Sequence, residues 1–228
     1  VSQWNNNRRK LLQSAEQIIT HLKSAESGDK NIDDEELIKR AMQIFSESFD
    51  EINGGFSSAP KFPTPHNLLF LMLYAKHKQD SDALKMAEKT LLQMRKGGIF
   101  DHIGYGFSRY STDKYFLAPH FEKMLYDNAL LIIAYSAAYY LTNNEIYLDT
   151  AEKTTEYILR EMTSADGGFY SAQDADSEGV EGKYYTFTLD EIINVLGEEK
   201  GKRFAESFDI TSNGNFEGVN ILNLLKLS

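Results

Sequence analysis

Cysteine is missing from this 228-residue chain. Its absence excludes a disulfide framework, a thiolate metal site and a cysteine nucleophile within the segment, and it fits a reducing compartment. Positive charge is also short, with 24 Lys and Arg against 34 Asp and Glu, a formal net charge of -10 and a pI near 5.0. Nucleic acid and anionic membrane surfaces are held by clustered cations, so neither is an expected partner. No run approaches the roughly 18 apolar residues of a membrane span, and the opening VSQWNNNRRKLL lacks the apolar stretch of a signal peptide. A cytoplasmic location is therefore expected, and a chain beginning with Val1 is expected to start at a fragment boundary. What is present is ordinary for a globular domain: 42% hydrophobic and 25% charged residues, enough to bury a core.

The apolar residues recur at helical spacing. Leu11, Leu12, Ala15, Ile18, Ile19 and Leu22 give a first helix, followed by a polar connection over 25–33. Leu37, Ile38, Ala41, Met42, Phe45 and Phe49 give a second, stopped by Asn53-Gly54-Gly55. Thr64-Pro65 should cap and open an apolar helix over 66–77. An amphipathic helix over 82–94 closes at Gly97-Gly98. Pro119 is expected to open the helix HFEKMLYDNALLIIAYSAAYYL, apolar on nearly every side and so buried. A further amphipathic helix spans 144–162. Residues 169–188 read as a short β-hairpin with a Gly-rich acidic turn, and Thr188-Leu-Asp-Glu191 is a capping box for a helix to Leu196, with one or two more helical turns over 202–208.

Gly54-Gly55-Phe56, Gly97-Gly98-Ile99-Phe100 and Gly167-Gly168-Phe169-Tyr170 each follow an amphipathic helix. Amphipathic helices alternate with nearly all-apolar ones, as concentric outer and inner rings require. The expected fold is all-α: a partial (α/α) toroid of helical hairpins carrying one short β-hairpin. An unremarkable helical bundle is the alternative.

The densest polar stretch, GGIFDHIGYGFSRYSTDKYFLAPHFEKMLYDN, interleaves Asp101, His102, Arg109, Asp113, His120, Glu122, Asp127 and Asn128 with aromatics. If Pro119 opens a helix, His120 and Asp127 lie only about 20° apart on it and can face one cavity. At a helix N-terminus His120 would favour the neutral imidazole suited to a general base. Buried loop histidines and structural ion pairs are the plainer readings of His120, His102, His66 and Arg109. Asp101 with Glu122 would be an acid and base pair of glycosidase type only at the right carboxylate separation. The second cluster, Gln173-Asp174-Ala175-Asp176-Ser177-Glu178-Gly179, starts like an EF-hand loop, but the twelfth position is Tyr185, so no calcium site is expected. Asp174 and Asp176 either belong to a solvated turn or project to bind sugar hydroxyls beside Tyr170.

The segments GGFSSAPKFPTP, GGIFDHIGYGFSRYSTDKYFLAPHFEKMLYDNALL and SAQDADSEGVEGKYYTFT resemble the spermatogenesis-associated protein 20 family, from about Gly54 to Asn220-Ile221-Leu222. The resemblance implies a thioredoxin-like domain ahead of a six-hairpin toroid similar to N-acylglucosamine 2-epimerases and glycosidases. Residues 1–228 are then expected to be part of the toroid, with the thioredoxin-like domain and the remaining hairpins absent from this chain. An enzyme of this kind would bind a carbohydrate-like small molecule. His120, His102, Asp101 and Glu122 would be its catalytic candidates, and Arg109, Asp127, Asn128, Asp174, Asp176 and His66 its substrate-binding ones, with no metal and no cofactor. The alternative is a non-catalytic module that binds a peptide or protein beside a thioredoxin-like redox domain. Unfinished ring faces would favour a dimer.

Overall fold

A computed structural model of the chain describes residues 2–25 and 33–227. The connection predicted over 25–33 lies almost wholly outside the described residues. The chain divides into two compact units, one ending at Ile44 and one starting at Phe45. The first holds α1 (Ser2–Ala25), whose Leu12, Ile18, Ile19 and Leu22 are all exposed, and most of α2 (Asp34–Ser48). Asp34, Glu35 and Glu36 occupy the positive end of α2.

The second unit is built on two helical hairpins. α3 (Pro65–Lys78) packs against α4 (Ser81–Lys96), α5 (Leu125–Thr142) packs against α6 (Glu145–Glu161), and α3 also packs on α5. The apolar helices α3 and α5 thus share an inner layer flanked by the amphipathic α4 and α6, as the pattern predicts. Burial of Leu68, Leu71 and Met72 on α3 and Leu131, Ala134 and Tyr135 on α5 forms this core. The Tyr135 hydroxyl donates to the Leu91 carbonyl of α4 at 2.8 Å, so even the buried phenol is satisfied. Burial of α5 is not complete, because Ile133 and Tyr140 remain exposed. Two short helices follow, α7 (Leu189–Leu196), with the predicted capping box, and α8 (Glu198–Ser207). Among the described residues no helix is long and apolar enough to cross a membrane.

Four two-residue antiparallel pairs tie the loops together at one end of these helices. β1 (Tyr110–Ser111) pairs with β2 (Pro119–His120), and β3 (Lys123–Met124) with β4 (Ala172–Gln173). β5 (Asp176–Ser177) pairs with β6 (Val180–Glu181), and β7 (Thr186–Phe187) with β8 (Asn220–Ile221). Three expectations change here. Pro119 opens no helix, because 119–124 is extended and its backbone is taken up by strand pairing; α5 starts only after Met124. The hairpin expected over 169–188 shrinks to β5–β6 around Glu178-Gly179, since β4 and β7 find partners elsewhere. Thr64 has left-handed φ and ψ and makes no side-chain cap.

The Gly-rich recurrence is real, but in a different register. Phe49 bridges Phe56, and Phe100 bridges Phe107, so Asp50-Glu51-Ile52-Asn53-Gly54-Gly55 matches Asp101-His102-Ile103-Gly104-Tyr105-Gly106. In both loops the Asp carboxylate accepts the backbone N–H groups two and three residues on. Each carboxylate is also held by a buried lysine that spans to a loop carbonyl. Lys61 reaches Asp50 and the Gly54 carbonyl, both at 2.6 Å. Lys123 reaches Asp101 at 2.9 Å and the Tyr105 carbonyl at 2.8 Å. Burial pushes the Asp50 carboxyl up, but hydrogen bonds from Lys61 and Asn53 outweigh it and hold it well below the carboxylate range. Gly106, at φ 77°, is required twice over, since a Cβ there would stand 2.4 Å from the Tyr157 ring. Gly97 serves another purpose: it lets the end of α4 approach the Phe116 carbonyl, which a Cβ would meet at 2.1 Å.

Candidate functional site

The extended run from Pro119 to Met124 sorts its side chains by alternation. His120 and Glu122 point to one side, where their polar partners lie; Phe121 and Lys123 meet Tyr185 on the other. Pairing of β1 with β2 sets Tyr110 opposite His120, and the Arg109 N–H donates to the Glu122 carbonyl at 2.8 Å. Arg109 Nη1 meets Glu122 Oε2 at 2.8 Å. His120 Nδ1 lies 2.6 Å from Glu181 Oε1, and its Nε2 lies 3.8 Å from Glu122 Oε2. Glu181 sits directly across the β5–β6 pair from Asp176, so both carboxylates project from one face of the hairpin. Tyr110 stacks on His120 at 5.2 Å between ring centres, and Phe62 stacks on Tyr110 at 4.8 Å.

Asp127 joins this group electrostatically. Burial pushes its carboxyl up to about 6, while a hydrogen bond from Tyr126 and the charge of Arg109 act against the rise. Its place in the first turn of α5 also favours the charged form, but burial prevails. Glu122 and Tyr126 hold the Arg109 guanidinium firmly protonated. The result is a half-open cluster with an oriented imidazole, a fixed cation, a carboxyl that titrates near neutrality and a stacked aromatic pair. The His120 ring thus lies between two carboxylates, Glu181 at Nδ1 and Glu122 at Nε2.

The other candidates are engaged elsewhere. Asp101 is committed to Lys123 and to its own loop. His102 sits between Arg95 Nη1, 3.2 Å from its Nδ1, and the Gly97 carbonyl, 3.0 Å from its Nε2. Burial, then the Arg95 charge, push its pKa down to about 4. NMR titration of the imidazole C–H signals should therefore show His102 staying neutral down to about pH 4, and a midpoint above 6 would refute its burial. Asn128 is fully buried as a clamp: Oδ1 accepts from Phe107 N–H, and Nδ2 donates to the Phe107 and Met124 carbonyls. Asp174 accepts from the Asp176 N–H in an exposed turn, and His66 is exposed in the first turn of α3. The glycosidase-type pairing of Asp101 with Glu122 has no support, since Asp101 is held by Lys123 and Glu122 by Arg109, and Lys123 and Glu122 leave the 119–124 run on opposite sides. The helical juxtaposition of His120 with Asp127 is replaced by strand pairing, and the helix-terminus argument for a neutral His120 falls with it.

Residue patterns missed Glu181, Tyr110 and Phe62. Placing the hairpin turn at Glu178-Gly179 would have set Glu181 across from Asp176; nothing in the local sequence points to the other two.

No family model matches the chain. Spermatogenesis-associated protein 20 of Homo sapiens is 39% identical over 237 residues, covering 93% of this chain and 30% of that protein. The Mus musculus protein of the same name is 41% identical over 211 residues, covering 86% and 27%. The chain thus spans less than a third of the length of these relatives. Among solved structures, cellobiose 2-epimerase from Bacillus thermoamylovorans B4167 matches with a TM-score of 0.53 at 16% identity, covering 75% of this chain and 55% of that one. An unsaturated glucuronyl hydrolase specific for heparin matches with a TM-score of 0.52 at 16% identity, covering 80% and 55%. At such identities the likeness is one of fold, that of the (α/α) toroids.

Proposed function

We infer that this chain, a member of the spermatogenesis-associated protein 20 family over the stretch it covers, binds a carbohydrate-like ligand at the His120 cluster and moves a proton on it. The observation that carries this reading is the pairing of His120 Nδ1 with Glu181 at 2.6 Å beside the Arg109–Glu122 pair. A base oriented by a carboxylate, next to a fixed cation, is what proton abstraction beside a carbonyl needs. In that reaction His120 Nε2 takes the proton from the carbon next to the sugar carbonyl. The bonding pair moves into an enediolate, whose negative oxygen is stabilised by Arg109. Asp127, with its carboxyl near 6, returns a proton to the carbon, and the stacked Tyr110 and Phe62 give the ring a platform. The toroid fold shared with a cellobiose 2-epimerase is compatible with this reading but carries none of its chemistry.

A second reading, a non-catalytic binding module, draws on the commitment of Asp101 and His102 to structural partners. Thermal-shift and calorimetric titrations of the intact protein with aldoses and N-acyl amino sugars, beside a His120→Ala variant, separate the two. A sugar should raise the wild-type transition, and the substitution should weaken its binding at least about tenfold by removing a hydrogen bond to an oriented group. In deuterated solvent, the bound sugar should exchange its proton next to the carbonyl only with the wild type. If no sugar shifts the transition, the sugar reading fails and the module reading takes its place.

A further inference from the structure

On the opposite face of the 119–124 run lies a cavity of about 270 Å³, lined by Phe100, Phe121, Tyr184, Tyr185, Phe187 and Leu222, with Asp101, His102 and Ser108 among its polar neighbours. It is separate from the His120 cluster, because Phe121 and His120 leave the strand in opposite directions. The walls carry no free charge. Asp101 is paired with Lys123 and capped by two N–H groups, and both His102 nitrogens are engaged. Burial also keeps His102 neutral through the physiological range. Ser108 is 3% exposed and lines the cavity, and its hydroxyl makes no side-chain hydrogen bond among the described residues; the buried side-chain nitrogens left without a partner belong to Arg95 and Arg109 instead. A hydroxyl that borders a cavity and has no partner in the chain is open to a hydrogen bond from a ligand or water there.

We propose that this cavity binds an uncharged aromatic ring bearing a hydroxyl, a small phenol-type molecule, with Ser108 as its hydrogen-bond partner. The size fits. A cavity of about 150 Å³ with aliphatic and aromatic walls holds benzene, so this one takes a ring with a substituent. The chemistry excludes the alternatives. A charged group would lose its hydration against phenylalanine and leucine without gaining a counter-ion. A sugar, hydroxylated at most carbons, would meet only Ser108 and at most the phenols of Tyr184 and Tyr185, leaving other hydroxyls unpaired. A flat ring can stack on Tyr184, which is 70% exposed and can be removed with little cost to the core.

The test is a titration of the intact protein with phenol, toluene and glucose, followed by calorimetry and by the NMR signals of the lining residues. Phenol should bind saturably and shift the signals of Phe187 and Leu222. Ser108→Ala should weaken phenol about tenfold and leave toluene unchanged, since it removes one hydrogen bond and no wall. That variant should fold normally, because the hydroxyl it deletes is unpaired. Tyr184→Ala should weaken both ligands, and His120→Ala neither, which keeps this result independent of the sugar reading. The proposal is overturned if phenol does not saturate, if Ser108→Ala leaves its affinity unchanged, or if glucose displaces it.

Discussion

Lys123→Met should destabilise the protein by about 3–5 kcal/mol, the cost of stranding one partner of a buried ion pair. The lysine is almost fully enclosed: its Nζ lies 2.9 Å from Asp101 Oδ2 and 4.6 and 4.7 Å from the ring centres of Tyr157 and Tyr185. Burial pushes its pKa down, and the charge of Asp101 and its hydrogen bond are the main effects that oppose this. Methionine fills the space but leaves the Asp101 carboxylate facing two phenol rings. Adding Asp101→Asn should restore most of the loss, because the amide oxygen can still cap Ile103 and Gly104 while the uncompensated charge is gone. Urea midpoints of the two single variants and the double variant measure this directly. A loss below about 1 kcal/mol for Lys123→Met would mean that the pair contributes no more than a surface bridge. By the loop repeat, Lys61→Met should act in the same direction through Asp50, whose side chain is 21% exposed and so less costly to strand.

Asp127→Asn should stabilise the protein at alkaline pH while impairing the proposed proton transfer. The Asp127 carboxyl is raised from 3.8 to about 6 on folding. A raised folded value means that folding favours the neutral acid. The native state is therefore unpenalised below pH 3.8, loses stability as pH rises from there through 6, and carries the full cost above that, about 3 kcal/mol. Asparagine keeps the shape and never ionises. The variant should match the wild type near pH 3.5 and exceed it by up to about 3 kcal/mol at pH 8, read from denaturant midpoints across the range. A constant difference at every pH would show that Asp127 ionises as easily in the folded chain as in the unfolded one. Gaining stability by disarming a group is the expected trade-off where burial has been used to tune a carboxyl for chemistry.

The loops show where reading residues in order reaches its limit. Gly54-Gly55, Gly97-Gly98 and Gly167-Gly168 stand out as a recurrence, yet the structural equivalent of Gly54-Gly55 is Tyr105-Gly106. The shared element is the Asp that caps its own loop, together with a lysine 11 residues downstream in one copy and 22 in the other. A spacing that differs by a factor of two hides the repeat from any scan for a fixed period. The stretch from Pro119 to Met124 misleads for a related reason. Proline followed by an apolar run favours a helix start locally, and only pairing with Tyr110–Ser111 and Ala172–Gln173 holds it extended.

By itself the sequence determined the alternation of apolar and amphipathic helices, the Thr188–Glu191 capping box, a Gly-rich acidic turn somewhere within 169–188 and the family, because these are written in contacts between near neighbours or in long matching motifs. The tertiary structure decided which ionisable groups meet. His120 is joined to a carboxylate 61 residues away, while His102, inside the same motif, is turned inward against Arg95. Such pairings are set by two-residue strands whose register depends on how separate loops close over the helix ends. No local preference is strong enough to encode that closure, so the division of the polar motif into a half-open His120 face and a buried Asp101–Lys123 face becomes visible only once the chain is folded.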